Sequence, residues 1–139
     1  MDKTIYPLPG GESIAKSGQF SGKVAFSNAV KVTGGTTLFI SGQLAFDKQL
    51  NLVGKGDMKA QTRQVLANIK AAVEAAGGNS RDIVMVKVYV TDFTHFRDVH
   101  DERLEFFAAD NLPASTLVKV AGLVHPDALI EIDAVAVLP

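Results

Sequence analysis

Residues 57–92 read DMKAQTRQVLANIKAAVEAAGGNSRDIVMVKVYVTD, and the change of period inside this stretch decides the fold. In its first half Met58, Thr62, Val65, Leu66, Ile69, Ala72, Val73 and Ala76 recur at helical spacing, while Lys59, Arg63, Gln64, Lys70 and Glu74 point elsewhere. The pattern predicts an amphipathic helix from Met58 to Ala76. Asp57 stands where an N-cap would accept a backbone N–H, and Gly77-Gly78 offers the left-handed exit that ends helices. In the second half Val84, Val86, Val88 and Val90 alternate, which predicts a strand over Ile83–Thr91 with one β-branched face.

Outward from this pair the same reading continues. Toward the N-terminus, Val24–Val32 and Thr37–Gln43 are β-prone runs separated by Gly34-Gly35, a hairpin-like break. Leu8–Lys23 is Gly- and Ser-rich and reads as a loop or edge excursion; Asp47–Lys55 is a polar connection. Toward the C-terminus a second helix is expected from Thr94 or Phe96 to Ala109, stopping before Asn111-Leu112-Pro113. Ser115–Ala121 and Ile130–Val137 are two further strands. The order strands, helix, strand, helix, strand, strand predicts one α+β domain over residues 1–139, a mixed β-sheet with both helices packed on one face. The other face, carrying Val135 and Val137, then needs a cover, and a second copy of the chain is the natural one.

Composition narrows the function. With 47% apolar and 21% charged residues, the chain has globular rather than disordered character. A formal net charge of −1 without a basic run argues against a nucleic-acid partner, which would draw on a basic stripe. The absence of cysteine excludes disulfides, thiolate metal sites and a cysteine nucleophile. Met1-Asp2-Lys3-Thr4 does not start a signal peptide and there is no long apolar run, so a cytoplasmic protein without a membrane partner is expected. Phosphate-binding glycine loops, dinucleotide fingerprints and His-Glu-x-x-His are missing. His95 and His100 are five apart and diverge on a helix by about 140°, so no metal site is expected.

Two residues stand out from their apolar surroundings. His100 follows Phe96 by four residues and precedes Leu104 and Phe107, placing it near the buried face of the second helix. It reads either as a core or interface histidine satisfied by a carbonyl, or as a cleft histidine that donates a proton or orients a substrate. Glu131 and Asp133 fall on one strand face with Val135 and Val137. An ionised carboxylate buried there would cost several kcal/mol unless paired. Glu131 is therefore either exposed near the strand end or set in a polar pocket of an interface, suited to activating water.

Taken in order, the motifs resemble the RidA (YjgF) family over nearly the whole chain. Phe26-Ser27-Asn28-Ala29-Val30 is similar to the family's Tyr-Ser-Gln-Ala-Val segment, and Leu38-Phe39-Ile40-Ser41-Gly42-Gln43 to its Val-Ser-Gly-Gln strand ending. Gln61–Gly77 follows the pattern Q-x-x-x-x-x-x-N-I-x-x-x-x-x-A-A-G; Asp82-Ile83-Val84, Val90-Thr91-Asp92, Leu112-Pro113-Ala114 and Glu131-Ile132 take their places after it. The resemblance implies a chorismate mutase-like fold, and a homotrimer whose sheets line a central barrel with three intersubunit clefts. It also implies hydrolysis of reactive enamines and imines, such as 2-aminoacrylate, to a 2-keto acid and ammonia, with no metal or organic cofactor. In such proteins an arginine after the Pro-Ala step grips the substrate carboxylate and the C-terminal glutamate positions water.

This chain departs at the arginine, where Ser115 stands, and looks like a member of an arginine-less branch. Leu117 replaces a frequent cysteine, Phe26 a tyrosine and His100 a common asparagine, and Pro9–Lys23 looks longer than usual. A charged hydrogen bond to a carboxylate contributes roughly 1.5–3 kcal/mol, so losing the fork costs about tenfold to a hundredfold in transition-state binding. Lys119 faces the same way as Ser115 but lies roughly 13 Å along the strand and does not substitute. The expectation is a small-molecule enzyme acting on an imine, enamine or related electrophile other than a standard 2-imino acid. Glu131 and His100 are its catalytic pair, and Phe26, Ser41, Gly42, Ser115 and Leu117 shape the pocket. The alternatives are a non-catalytic metabolite-binding or regulatory trimer and, against the charge balance, an endoribonuclease or translation inhibitor.

Overall fold

The strand Ile130–Leu138 (β6) shows how the chain divides its two faces. Ile130, Ile132, Ala134 and Ala136 are buried to 2% exposure or less, while Glu131, Asp133 and Val135 between them stay half-buried. Strict alternation sends the first set to one side of a sheet and the second to the other. β6 is central: it pairs antiparallel with β3 (Thr36–Gln43) on one side and with β4 (Ile83–Val90) on the other. β4 in turn pairs in parallel with β5 (Ala114–Lys119), giving a mixed sheet ordered β3-β6-β4-β5. The computed structural model describes residues 1–9 and 24–139, so the excursion expected over Leu8–Lys23, and the long Pro9–Lys23 segment within it, fall almost wholly outside the described residues.

Two helices pack on the β6 face that carries Ile130 and Ile132. The first, α1, spans Met58–Ala75, and Asp57 caps it by accepting the Ala60 N–H at 3.0 Å. Gly77 ends it at φ 89°, and the Gly78 N–H returns to the Val73 carbonyl at 3.0 Å. Val65, Ile69 and Val73 are fully buried in the core with Val86, Val88, Ile130 and Ile132. The second, α2, spans Phe96–Phe106 and is tied to α1 by Arg63, whose Nε and Nη2 donate to the two oxygens of buried Glu102 at 3.2 and 2.8 Å.

The expected α+β architecture, a mixed sheet with both helices on one face, is the one observed, with several local corrections. Val84 leaves the β4 face because a register shift between Ile83 and Met85 inserts an extra residue, and Ile83 is buried in its place. Val24–Asn28 is not part of the second strand, which runs only from Ala29 to Thr33 (β2). Gly34 and Gly35, at φ 78° and 80°, do not close a hairpin: β2 pairs with Asp2–Tyr6 (β1), an edge strand not expected from the sequence, while β3 joins the other sheet. α2 stops at Phe106 rather than Ala109, because Phe107 turns to extended backbone and buries its ring against Phe106. β5 ends at Lys119 and not at Ala121.

Gln61 is the polar pin of this arrangement, and apolar periodicity gives no sign of it. It is fully buried, donates from Nε2 to the carbonyls of Gly54 and Asp127 at 3.1 and 3.0 Å, and accepts the Leu129 N–H at 2.8 Å. It thereby fixes the loop before α1 and the entry to β6, where Ile130 and Glu131 begin. Gln61→Leu keeps the volume but takes the partner from the Leu129 N–H and the Asp127 carbonyl, each at about 1–3 kcal/mol when buried, while the Gly54 carbonyl keeps the Asp57 N–H at 2.9 Å. Urea denaturation at fixed protein concentration is expected to show a loss of at least about 2 kcal/mol; a change within about 0.5 kcal/mol would contradict the role assigned to Gln61.

Candidate functional site

The sequence-expected residues fall into two groups on opposite faces of the sheet. Ser115 and Leu117 stand beside Val86 and Val88 on the helix-covered side. Glu131 stands beside Tyr89 on the open side. His100 and Glu131 are thus not brought together within one chain; each lines its own cavity.

The helix-side cavity, of about 270 Å³, is lined by Phe26, Phe96, His100, Arg103, Ser115 and Leu117. Phe96, His100 and Arg103 are spaced by four and three residues, so one face of α2 supplies all three. The Phe96 and His100 rings stack at a centroid distance of 6.2 Å and an interplanar angle of 26°. Phe26 is held over the cavity by its neighbour: the Ser27 N–H donates to the Pro113 carbonyl at 2.8 Å, and Ser27 Oγ donates to Leu112 at 2.6 Å. Four of the expected residues, Phe26, His100, Ser115 and Leu117, therefore do meet in one place.

Arg103 was not among the expected residues. The apolar reading of α2 ran through Leu104 and Phe107; Phe107 is buried beyond the helix end, but within the helix the buried set is Val99, His100, Glu102 and Arg103. The spacing from His100 was the signal available. Arg103 is 4% exposed; among the described residues its side chain makes one hydrogen bond, from Nη2 to the Ala25 carbonyl at 3.4 Å, and its buried Nε has no hydrogen-bond partner. Burial pulls its pKa down to about 10, which leaves the guanidinium charged at neutral pH.

The open-side cavity, of about 500 Å³, is lined among others by Gly42, Phe46, Asn68, Val124 and Glu131. Asn68 joins α1 to the chain leaving β3, donating to the carbonyls of Leu44 and Phe46 at 3.1 and 2.9 Å. Beside Glu131 the Tyr89 hydroxyl donates to Asp133 at 3.0 Å, and that bond holds the phenol above its usual pKa. Ser41, expected in the pocket, is exposed and lines neither cavity, because the irregular pairing between Ile40 and Gln43 turns it outward. Gly42 belongs with Glu131 and not with Ser115. Among the described residues no group of three or more His, Asp or Glu side chains is arranged for a metal ion, and no helix is long and apolar enough to cross a membrane.

Gly42 explains how the Glu131 carboxylate comes to rest where it does. A Cβ on Gly42 would lie 2.6 Å from Glu131 Oε2 and 2.8 Å from Cδ. The obstacle is the end of a flexible side chain, so Gly42→Ala is expected to fold with a loss below about 1 kcal/mol and to push the carboxylate into another rotamer. A crystal structure of the variant checks this; an unmoved Glu131 carboxylate would contradict it.

Comparison with known proteins places this geometry. The family model described as Endoribonuclease L-PSP matches residues 17–138. A RutC family protein of Sulfurisphaera tokodaii is 46% identical over 107 residues, 77% of this chain and 82% of that protein. The crystal structure of YyfB from Yersinia pestis, a protein of unknown function of the conserved Rid family, superposes with a TM-score of 0.84 at 32% identity, covering 99% of this chain and 100% of that one. The YjgF gene product of E. coli is 40% identical, with a TM-score of 0.67 over 76% of this chain and 84% of its own. The motifs, the fold and the family match agree, and the chain belongs to the endoribonuclease L-PSP family, the RidA (YjgF) group.

Proposed function

We propose that the protein is a small-molecule hydrolase that adds water to a reactive imine, enamine or related electrophile in a cleft between two copies of the chain. The observation that carries this reading is the Glu131 carboxylate, set over Gly42 in a cavity at the rim of an apolar sheet face. That face holds Phe39, 79% exposed, in one row with Val135 and Met85, and Val118 is 41% exposed on β5. Apolar surface of this kind favours burial against another copy, and the family resemblance supports a trimer as that assembly. The β5 edge of one copy, with its His100 cavity, then meets the Glu131 face of the next.

In this reading Glu131 takes a proton from water as oxygen attacks the C=N carbon, and His100 gives a proton to the nitrogen. Collapse of the carbinolamine expels ammonia and leaves a carbonyl, so that one imine and one water become one carbonyl compound and one ammonia. No metal or organic cofactor is required for the attack, because a protonated imine is already electrophilic. Ser115 is neutral and does not reproduce the strand arginine's fork, so a standard 2-imino acid is not held in the family's manner. That same substitution supports a second reading, a metabolite-binding trimer without turnover.

General acid–base groups contribute about 10²–10⁴-fold. Glu131→Gln is therefore expected to lower ammonia release from an imine generated in situ by at least about a hundredfold, with an unchanged melting temperature and a trimeric sedimentation coefficient. Turnover that survives this substitution, or a monomer at micromolar concentration, would overturn the hydrolase reading; ligand binding without turnover in the unsubstituted protein would favour the second.

A further inference from the structure

We propose that Arg103, reaching the helix-side cavity from α2, makes that cavity a binding site for a small planar carboxylate. The inference rests on the reading above only in placing the ligand cleft at this cavity. It supplies from a helix the positive charge that β5 lacks at Ser115.

The argument begins with the state of the guanidinium. Arginine carries five N–H donors in a fixed fork and no acceptor, and a buried one is ordinarily paired. Arg103 is 4% exposed, yet among the described residues its side chain makes a single long hydrogen bond, at 3.4 Å to the Ala25 carbonyl, and its Nε has none. The carboxylate next to it in sequence is already committed: Glu102 receives both arms of Arg63, at 3.2 and 2.8 Å. A buried cation whose Nε donor has no partner is unfavourable by itself and becomes favourable beside an anion. Burial lowers its pKa only to about 10, so it meets such an anion as a cation.

The rest of the cavity states what the anion is attached to. Phe26, Phe96 and Leu117 line it with apolar surface, His100 stacks on Phe96, and Ser115 brings a hydroxyl. About 270 Å³ accommodates a flat molecule of the size of one aromatic ring with its acid group. A carboxylate suits the planar fork, and an apolar or unsaturated body suits the walls. Ser115 then hydrogen-bonds the ligand beside its charge rather than neutralising it.

Benzoate, with benzamide as its neutral isostere, tests this by calorimetric titration of the full chain in its native assembly. Benzoate is expected to bind at least about tenfold more tightly than benzamide. Arg103→Met should erase the difference, and Arg103→Lys should retain part of it. Because Met fills the same space without a desolvated charge, Arg103→Met is also expected to melt at the same temperature or higher, which a merely structural arginine would not do. Equal affinity for acid and amide, or a preference that survives Arg103→Met, would overturn the proposal. Selection of benzoate without imine turnover would remove the hydrolase reading and leave the anion site; turnover without selection would do the reverse.

Discussion

β6 is buried on one side only, and the rest of the molecule follows from that constraint. Four small or branched residues, Ile130, Ile132, Ala134 and Ala136, meet α1 and the core, which requires the strand to sit in the middle of the sheet with neighbours on both edges. A shift of one residue would drive Glu131 and Asp133 into the core and expose the isoleucines, at a cost far above the stability of a small domain. Register is thereby fixed, and Gln61 holds the strand's entrance at that register by accepting from Leu129. Once β6 is set, Gly42 of β3 lies under Glu131 and Tyr89 of β4 lies beside it. The open-side group is a consequence of packing on the closed side.

The closed side has its own polar logic. Its two buried arginine–glutamate neighbours, Glu102 and Arg103, do not pair with each other; Glu102 reaches α1 through Arg63 and locks the two helices together. Arg103 is left facing the β5 edge with Ser115 and Leu117. A chain under selection for stability alone would place an apolar residue there, since a desolvated unpaired cation is costly. Unused hydrogen-bonding capacity next to an apolar cavity is the form in which a binding site shows itself before its ligand arrives.

Most of the regular structure was legible in the sequence because it is enforced by periodicity. α1 is capped by Asp57 and closed off by Gly77 as the spacing and the cap chemistry require, and the alternation in β6 separates Glu131 from Ile130 and Ile132 as expected. The failures share a cause. Arg103 and Gln61 are polar residues on buried faces, satisfied or poised by partners far away in sequence, and an apolar count passes over them. The Gly34-Gly35 break was visible, but not its use, because two left-handed glycines serve equally to close a hairpin or to send two strands into different sheets. β1 is five residues long with only two half-buried side chains besides its pairing, too little contrast to read as a strand. His100 and Glu131 were each recognised, whereas their placement on opposite faces depends on β4–β5 pairing in parallel, which no local pattern encodes.

The central claim is that these two half-sites become one site between copies of the chain. Subunit mixing tests it most directly: the Glu131→Gln and His100→Ala variants, each inactive alone, are dissociated together, reassembled and assayed for imine hydrolysis. If every cleft draws Glu131 from one copy and His100 from its neighbour, the mixture recovers about a quarter of the unsubstituted rate, the statistical share of clefts that receive both intact residues. Co-assembled variants that stay inactive would contradict the account.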